Sequence, residues 1–175
     1  GAWRYSPDSK DADTTVTGAQ MVALFAARNA GVEVPDQVID KGKQFLLECQ
    51  DDKGGFGYTG NSGANLPRTA IGSLILALDK DTKSDAFKNS IEYLRENARF
   101  GDQGHKFYSL YYTAQAMFRS TPDDWNKWNL ENVRQLQAKQ AENGSWNGNY
   151  GNTFPTSAAL LSMALNYRYL PIYER

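Results

Sequence analysis

A short turn sequence occurs more than once in this chain. Residues 140–146 read Q-A-E-N-G-S-W, in which a glutamine ends a helical run and an Asn-Gly turn leads to a tryptophan. Residues 50–56, Q-D-D-K-G-G-F, have the same order, with phenylalanine in place of the tryptophan. The chain opens with G-A-W at residues 1–3, which matches the end of the same turn. A turn that recurs with a similar apolar helix after each copy is typical of a repeat protein.

Each part of this turn has a physical role. Glycine and asparagine adopt the positive φ angles that a tight reversal needs. A glutamine side chain can hydrogen-bond free backbone groups at the ends of neighbouring helices, and the aromatic residue shields those hydrogen bonds from water. We therefore predict the same turn after Gln50 and after Gln140. Residues 100–106, F-G-D-Q-G-H-K, are interpreted as a more divergent copy.

The composition fits one globular domain. Of the 175 residues, 41% are hydrophobic and 22% are charged, which is enough for a sizeable core. The net charge is −1 and the basic residues are scattered, which argues against nucleic acid as a partner. No apolar run reaches the ~18 residues of a membrane span, so no transmembrane segment is predicted. The single cysteine, Cys49, has no intrachain disulfide partner.

The spacing of apolar residues predicts an all-α fold. No segment alternates with period two, as a half-buried strand would. The predicted helices cover residues 14–30, 36–50, 67–79, 84–98, 107–119, 123–141 and 154–166. The first, third, fifth and seventh are apolar nearly all round, whereas the others carry a charged face. Because one-sided helices lie at a surface and apolar ones are buried, the pattern predicts the alternating inner and outer helices of an α/α toroid.

About seven helices are too few to close a typical ring of this kind. We therefore expect a partial ring whose free apolar faces are covered by self-association or by the remaining part of a longer chain. Because the sequence opens inside a repeat, residues 1–175 are predicted to form a single domain from the C-terminal part of that longer chain.

The two full turn sequences resemble the QW motif of terpenoid cyclases. The first match, over residues 41–56, is K-G-x2-F-L-x3-Q-x3-G-x-F, and the second, over residues 140–146, is Q-x3-G-x-W. The surrounding helices resemble the wider α/α-toroid group of squalene–hopene cyclases and prenyltransferase β subunits. The resemblance covers essentially the whole chain as fold and repeat, and the motif itself is structural in that family.

A further resemblance concerns chemistry. In squalene–hopene cyclases a G-G-W turn is followed by D-x-D-D-T-A at the start of an inner helix. Here residues 11–16 read D-A-D-T-T-V, so Asp11, Asp13 and Thr15 match the pattern and Thr14 replaces its last aspartate. The resemblance implies acid-initiated cyclisation of a polyprenyl or triterpene substrate. It makes Asp13 the acid that protonates an alkene or epoxide, and Asp11 its helper.

Two interpretations of Asp13 follow from its position. Acid catalysis needs a dry carboxylic acid, which two nearby carboxylates favour because both cannot comfortably ionise. Alternatively, an aspartate just before a helix is commonly an N-cap, and the free N–H groups and the helix dipole then stabilise its charge.

Aromatic residues on the turns and inner helices are the candidates for a ligand cavity, because ring faces stabilise cations through their quadrupoles. The substrate-binding candidates are Trp3, Tyr5, Phe56, Tyr58, Tyr111 and Tyr112. Their predicted ligand is a hydrophobic isoprenoid. Ordinary packing is the alternative role for the tyrosines.

Other chemistry finds little support in the residues. Tetrahedral zinc needs three or four suitable ligands, and the only cysteine and the only histidine, Cys49 and His105, lie in unrelated contexts. A single histidine in unmatched surroundings does not assemble a serine or cysteine triad. The glycine-rich turn 54–57 lacks the strand and the lysine of a phosphate-binding loop. No metal and no cofactor is therefore predicted.

The sequence leaves two further functions open. The incomplete aspartate motif favours a non-catalytic toroid that binds a lipid, a peptide or a protein partner in its centre. A purely structural repeat scaffold is the other. No feature of the sequence indicates a cellular compartment.

Overall fold

A computed structural model describes residues 1–98, 105–149 and 151–167. Within these ranges the chain forms seven α-helices and no strand. The helices are α1 (Thr14–Asn29), α2 (Asp36–Glu48), α3 (Leu66–Leu78), α4 (Asp85–Asn97), α5 (Lys106–Phe118), α6 (Pro122–Lys139) and α7 (Thr153–Ala164). A 3₁₀ turn, Leu165–Tyr167, follows α7. The all-α prediction is confirmed, whereas most of the divergent turn copy predicted at 100–106 lies outside the described residues.

The helices pack in two sets. Helices α1, α3, α5 and α7, which we call inner helices, contact one another in that order. Helices α2, α4 and α6, which we call outer helices, each pack mainly against the inner helix that precedes them in the chain. Every residue from Thr69 to Leu76 in α3 and from Tyr112 to Phe118 in α5 is buried. The predicted alternation of helix types therefore corresponds to a repeat of helix pairs, while the ring itself stays a prediction.

Side-chain caps explain where four of the helices begin. The capping side chains, each of which accepts a hydrogen bond from a free N–H group of its helix, are Asp13 for α1, Asn65 for α3, Ser84 for α4 and Thr121 for α6. Helices α3 and α6 also have a proline in the first turn, where the missing N–H group costs nothing.

The two full copies of the turn have one geometry. Gly54 and Gly144 have φ angles of 83° and 80°. The N–H group of each glycine donates to the carbonyl of the residue three before it, Asp51 in the first copy and Ala141 in the second. The prediction of one repeated turn is confirmed at both sites.

The glutamine at the start of each turn hydrogen-bonds the backbone, as its sequence position predicts. The amide of Gln50 donates to the carbonyl oxygens of Gly54 (3.1 Å) and of Ala86 in α4 (2.9 Å). The amide of Gln140 donates to the carbonyl oxygen of Gly144 (2.8 Å). Gln50 therefore joins its turn to a second helix, whereas the hydrogen bond of Gln140 stays within its own turn.

This difference predicts unequal losses of stability. Gln50→Ala is expected to lower the free energy of unfolding by about 1–3 kcal/mol, because it removes the donor of two hydrogen bonds. Gln140→Ala, the matched variant at an exposed side chain, is expected to cost less than about 1 kcal/mol. Urea unfolding of both variants measures the difference, and equal losses would show that the bond to Ala86 contributes nothing.

The aromatic residue of each turn is joined to the next inner helix in a way that the sequence analysis missed. Its backbone N–H group donates to a threonine hydroxyl, and that threonine is the fourth residue of the helix. The pairs and their N–O distances are Trp3 with Thr17 (3.0 Å), Phe56 with Thr69 (3.0 Å) and Trp146 with Thr156 (3.1 Å). A serine, Ser109, is the fourth residue of α5. The sequence signal for this interaction is a threonine or serine as the fourth residue of α1, α3, α5 and α7.

Glycine permits the close approach of α1 and α3. A Cβ atom at Gly18 would overlap the Cγ2 methyl group of Ile71. Gly18→Ala is therefore expected to lower the free energy of unfolding by about 1–3 kcal/mol, because a packed interface cannot absorb the methyl group without strain. Thermal unfolding measures the loss against Gln20→Ala, an exposed position of the same helix, where we expect almost no change. A Gly18→Ala variant as stable as the control would contradict this packing.

Candidate functional site

Asp13 is buried at the N-terminus of α1, with none of its surface exposed. Its Oδ1 atom accepts hydrogen bonds from the N–H groups of Thr15 (2.8 Å) and Val16 (2.9 Å), and from the Thr15 hydroxyl. Its Oδ2 atom is also buried and has no hydrogen-bond partner among the described residues. One oxygen therefore performs the N-cap role that the sequence predicted, and the other accepts no hydrogen bond from the described residues.

Thr14 hydrogen-bonds the backbone of a part of the chain that is distant in sequence. Its hydroxyl donates to the carbonyl oxygens of Gly57 (2.7 Å) and Tyr58 (3.0 Å), and its N–H group donates to Tyr58 (2.9 Å). Both acceptors belong to the segment that follows the turn at 50–56. An aspartate cannot replace this donor, because an ionised carboxylate only accepts hydrogen bonds.

Asp11 and Asp13 have different interaction partners. Its carboxylate is exposed and forms an ion pair with Arg4 (N–O 2.7 Å). Within the described residues, no hydrogen bond joins the carboxyl groups of Asp11 and Asp13. Asp11 thus lies in the same loop as Asp13, but its interaction partner is the guanidinium group of Arg4.

Tyr5, which is 76% exposed, Tyr58 and Tyr108 come from three parts of the chain and are linked by a hydrogen bond or by the charge of Asp13. The hydroxyl of Tyr58 donates to that of Tyr5 (3.4 Å). This hydrogen bond, with burial and the negative charge of Asp13, raises the pKa of Tyr58 to about 12. Burial, and to a smaller extent the charge of Asp13, raises the pKa of Tyr108 as well. The charge of Asp13 thus affects Tyr58, which follows the turn at 50–56, and Tyr108 in α5.

The tyrosines of α5 continue this group. The ring centroids of Tyr108 and Tyr112 lie 5.0 Å apart, as do those of Tyr111 and Tyr112, and both pairs meet edge to face. Burial raises the pKa of Tyr112. We call Tyr5, Tyr58, Tyr108, Tyr111 and Tyr112 the tyrosine cluster. Tyr108 is not among the candidates from the sequence, although it stands at helical spacing from Tyr111 and Tyr112.

Two arginines that were not candidates from the sequence lie beside Tyr58 of the tyrosine cluster. The guanidinium carbons of Arg4 and Arg68 lie 5.4 Å and 5.6 Å from the centroid of the Tyr58 ring. Such distances allow cation–π attraction, which holds the ring in place. Tyr58 is therefore positioned by its hydroxyl, by its backbone carbonyl and by both neighbours of its ring.

The two other aromatic candidates take part in packing. Phe56 is completely buried, and its ring lies so close to Gly72 that a Cβ atom there would come within 2.6 Å of it. Trp3 is partly buried and packs against the core. Both residues therefore contribute to the hydrophobic core.

The residues considered for metal or thiol chemistry are separate from this site. Cys49 is buried, and burial raises the pKa of its thiol. His105 is exposed at the start of α5. Within the described ranges, no group of three or more histidine, cysteine and acidic residues could hold a metal ion. None of the helices described there is long and apolar enough to cross a membrane.

Comparisons with protein-family models and with curated proteins give no match.

Proposed function

We propose that this chain is a terpenoid-cyclase-like α/α-toroid domain in which Asp13 initiates the cyclisation of a polyprenyl or triterpene substrate. In this reaction the carboxylic acid of Asp13 gives a proton to an alkene or epoxide, and a new carbon–carbon bond forms as the cation is attacked by another double bond. Loss of a proton from the product cation, or its capture by water, ends the reaction.

The observation that carries this proposal is the difference in surroundings between the two carboxylate oxygens of Asp13. Oδ1 is held by three donors, which fixes the orientation of the side chain. Oδ2 is buried and has no hydrogen-bond partner in the part of the chain that the structure describes, so none of those residues would hold a proton on it. A buried polar atom without a partner costs free energy, and such costs persist at sites where function needs them.

The tyrosine cluster supplies the second requirement of the proposal. Aromatic faces attract a cation without reacting as a base. A tyrosine hydroxyl is already protonated at neutral pH, and burial raises the pKa of Tyr108 and Tyr112 further. Neutral tyrosines would stabilise a cyclising cation without taking its protons.

A second candidate function is the binding of a lipid, peptide or protein without catalysis. The ion pair between Asp11 and Arg4 favours it, because a carboxylate that faces a guanidinium is a poor partner for sharing a proton with Asp13. The donor role of Thr14 favours it as well, since the second aspartate of the cyclase pattern is replaced by a structural group.

Incubation of the full-length protein with squalene, 2,3-oxidosqualene and farnesol, followed by mass spectrometry of the products, tests the proposal. We expect a cyclic product with at least one of these substrates, and none from Asp13→Asn. Saturable binding without any product would support the second candidate. Neither product nor binding would overturn both and leave a structural repeat scaffold.

A further inference from the structure

The side-chain amide of Gln115, in the C-terminal half of α5, is buried and unpartnered. The residue is 2% exposed, and neither its Oε1 nor its Nε2 atom has a hydrogen-bond partner among the described residues. Burial of such a group costs free energy, because the hydrogen bonds that the amide makes with water in the unfolded chain are lost. A buried amide in this state therefore needs an explanation beyond packing.

The helical repeat does not require an amide at this position. Gln115 is the tenth residue of α5, and the tenth residue of α3 is Ile75, which is completely buried. An apolar side chain thus occupies the equivalent position in the preceding helix pair. The amide is a feature of α5 and not of the repeat.

Gln115 shares one face of α5 with tyrosines of the tyrosine cluster. It follows Tyr108 by seven residues, Tyr111 by four and Tyr112 by three, which is the spacing of neighbours on one helix face. The rings of Tyr108 and Tyr111 both contact the ring of Tyr112. Because helical side chains lean towards the N-terminus of their helix, the side chain of Gln115 leans towards the turn that holds Tyr111 and Tyr112.

Asp13 and Gln115 belong to opposite ends of this face. The charge of Asp13 contributes to the raised pKa of Tyr108, which is the first tyrosine of the face. Gln115 lies about 10 Å further along the helix axis than Tyr108, since an α-helix rises ~1.5 Å per residue. The rings of Tyr111 and Tyr112 lie between the two ends. The unpartnered Oδ2 atom of Asp13 and the unpartnered amide of Gln115 are therefore separated by aromatic rings.

We propose that Gln115 is a substrate-binding residue that hydrogen-bonds the hydroxyl group of an acyclic isoprenoid alcohol, whose chain lies along the tyrosines with an alkene at Asp13. This inference rests on the function proposed above and narrows its substrate to one that carries a neutral oxygen group. A hydroxyl fits the amide because both groups donate and accept hydrogen bonds. An anionic group fits less well, since its charge would be buried. A hydrocarbon substrate would leave the amide unpaired.

Titration calorimetry with farnesol and with its deoxy analogue, which lacks only the hydroxyl group, tests this inference. The full-length protein carries Asp13→Asn, so that turnover contributes no heat. We expect farnesol to bind about tenfold more tightly than the analogue, as one hydrogen bond to a buried group allows. Gln115→Leu is expected to weaken farnesol binding about tenfold and to make the two ligands bind equally. Gln115→Met, which keeps the unbranched shape of glutamine, is expected to give the same result.

Thermal unfolding separates this role from a structural one. Gln115→Leu is expected to raise the melting temperature by about 2–4 °C, because it removes an unpaired buried amide. Thr113→Val is the matched control, since Thr113 is also 2% exposed and its hydroxyl has no partner in the described part of the chain. Two residues from Gln115, it lies on the other side of α5, at the position from which Ser73 of α3 contacts Ser90 of α4. We expect Thr113→Val to leave the affinity for both ligands unchanged.

Several results would overturn the role of Gln115. They are absence of farnesol binding, equal binding of farnesol and its deoxy analogue, and a preference for farnesol that survives Gln115→Leu or is lost equally in Thr113→Val.

Failure of this inference is distinguishable from failure of the proposed function. Asp13-dependent cyclisation of squalene, together with equal binding of the two ligands, would reject the role of Gln115 and leave the proposed function standing. A preference for farnesol that depends on Gln115, without a cyclic product from the parent protein, would support the role of Gln115 in binding and reject the catalytic role of Asp13.

Discussion

Replacing Asp13 with asparagine is expected to abolish product formation and to leave the thermal stability of the protein nearly unchanged. The asparagine oxygen can accept the same hydrogen bonds from Thr15 and Val16, and asparagine is as good an N-cap as aspartate. The amide has no acidic proton, so we expect product formation to fall by at least about 100-fold, as when a general acid is removed. Product yield and melting temperature, measured on the same preparation, separate the two effects.

Two further variants complete this experiment. Asp13→Ala removes the cap and is expected to cost about 1–2 kcal/mol of stability, which shows that the capping interaction is real. Asp11→Asn changes an exposed carboxylate that is paired with Arg4, so its stability should stay within about 0.5 kcal/mol of the parent. A large loss of product with Asp11→Asn would make Asp11 the helper that the family resemblance implies. Full activity of Asp13→Asn would exclude Asp13 as the acid.

The second large effect is expected at Thr14. Thr14→Asp restores the aspartate of the cyclase pattern, yet we expect it to lower the free energy of unfolding by about 3 kcal/mol or more. The side chain is completely buried and its hydroxyl donates to the carbonyl oxygens of Gly57 and Tyr58. A carboxylate in this place would face two acceptors and be buried without a partner, which is among the costliest single changes.

Two conservative variants test this explanation by chemical denaturation. Thr14→Ser keeps the donor and is expected to retain most of the stability. Thr14→Val keeps the shape but removes the donor, and is expected to cost about 1–3 kcal/mol because the buried carbonyls lose a partner. If Thr14→Asp were as stable as the parent and formed more product, the segment at Gly57 and Tyr58 would have to rearrange, and the donor role of Thr14 would be wrong.

The helices, the repeated turn and the N-cap at Asp13 could be predicted from the sequence because each depends on residues close together in the chain. Helix bounds follow from the 3.6-residue period and from caps. The turns follow from the glycines, such as Gly54, that adopt positive φ. The burial of α3 and α5 followed from their apolar composition all round, since such helices find no favourable place at a surface.

Only the tertiary structure decided which distant groups meet. The hydroxyl of Thr14 reaches Gly57, and the amide of Gln50 reaches Ala86 in α4, across long stretches of chain. The spacing of apolar residues predicts which face of a helix is buried. It does not predict which residues that face contacts, because these contacts depend on how the helices dock against one another. For the same reason the sequence could not show that one oxygen of Asp13 caps α1 while the other is buried with no hydrogen-bond partner among residues 1–98, 105–149 and 151–167.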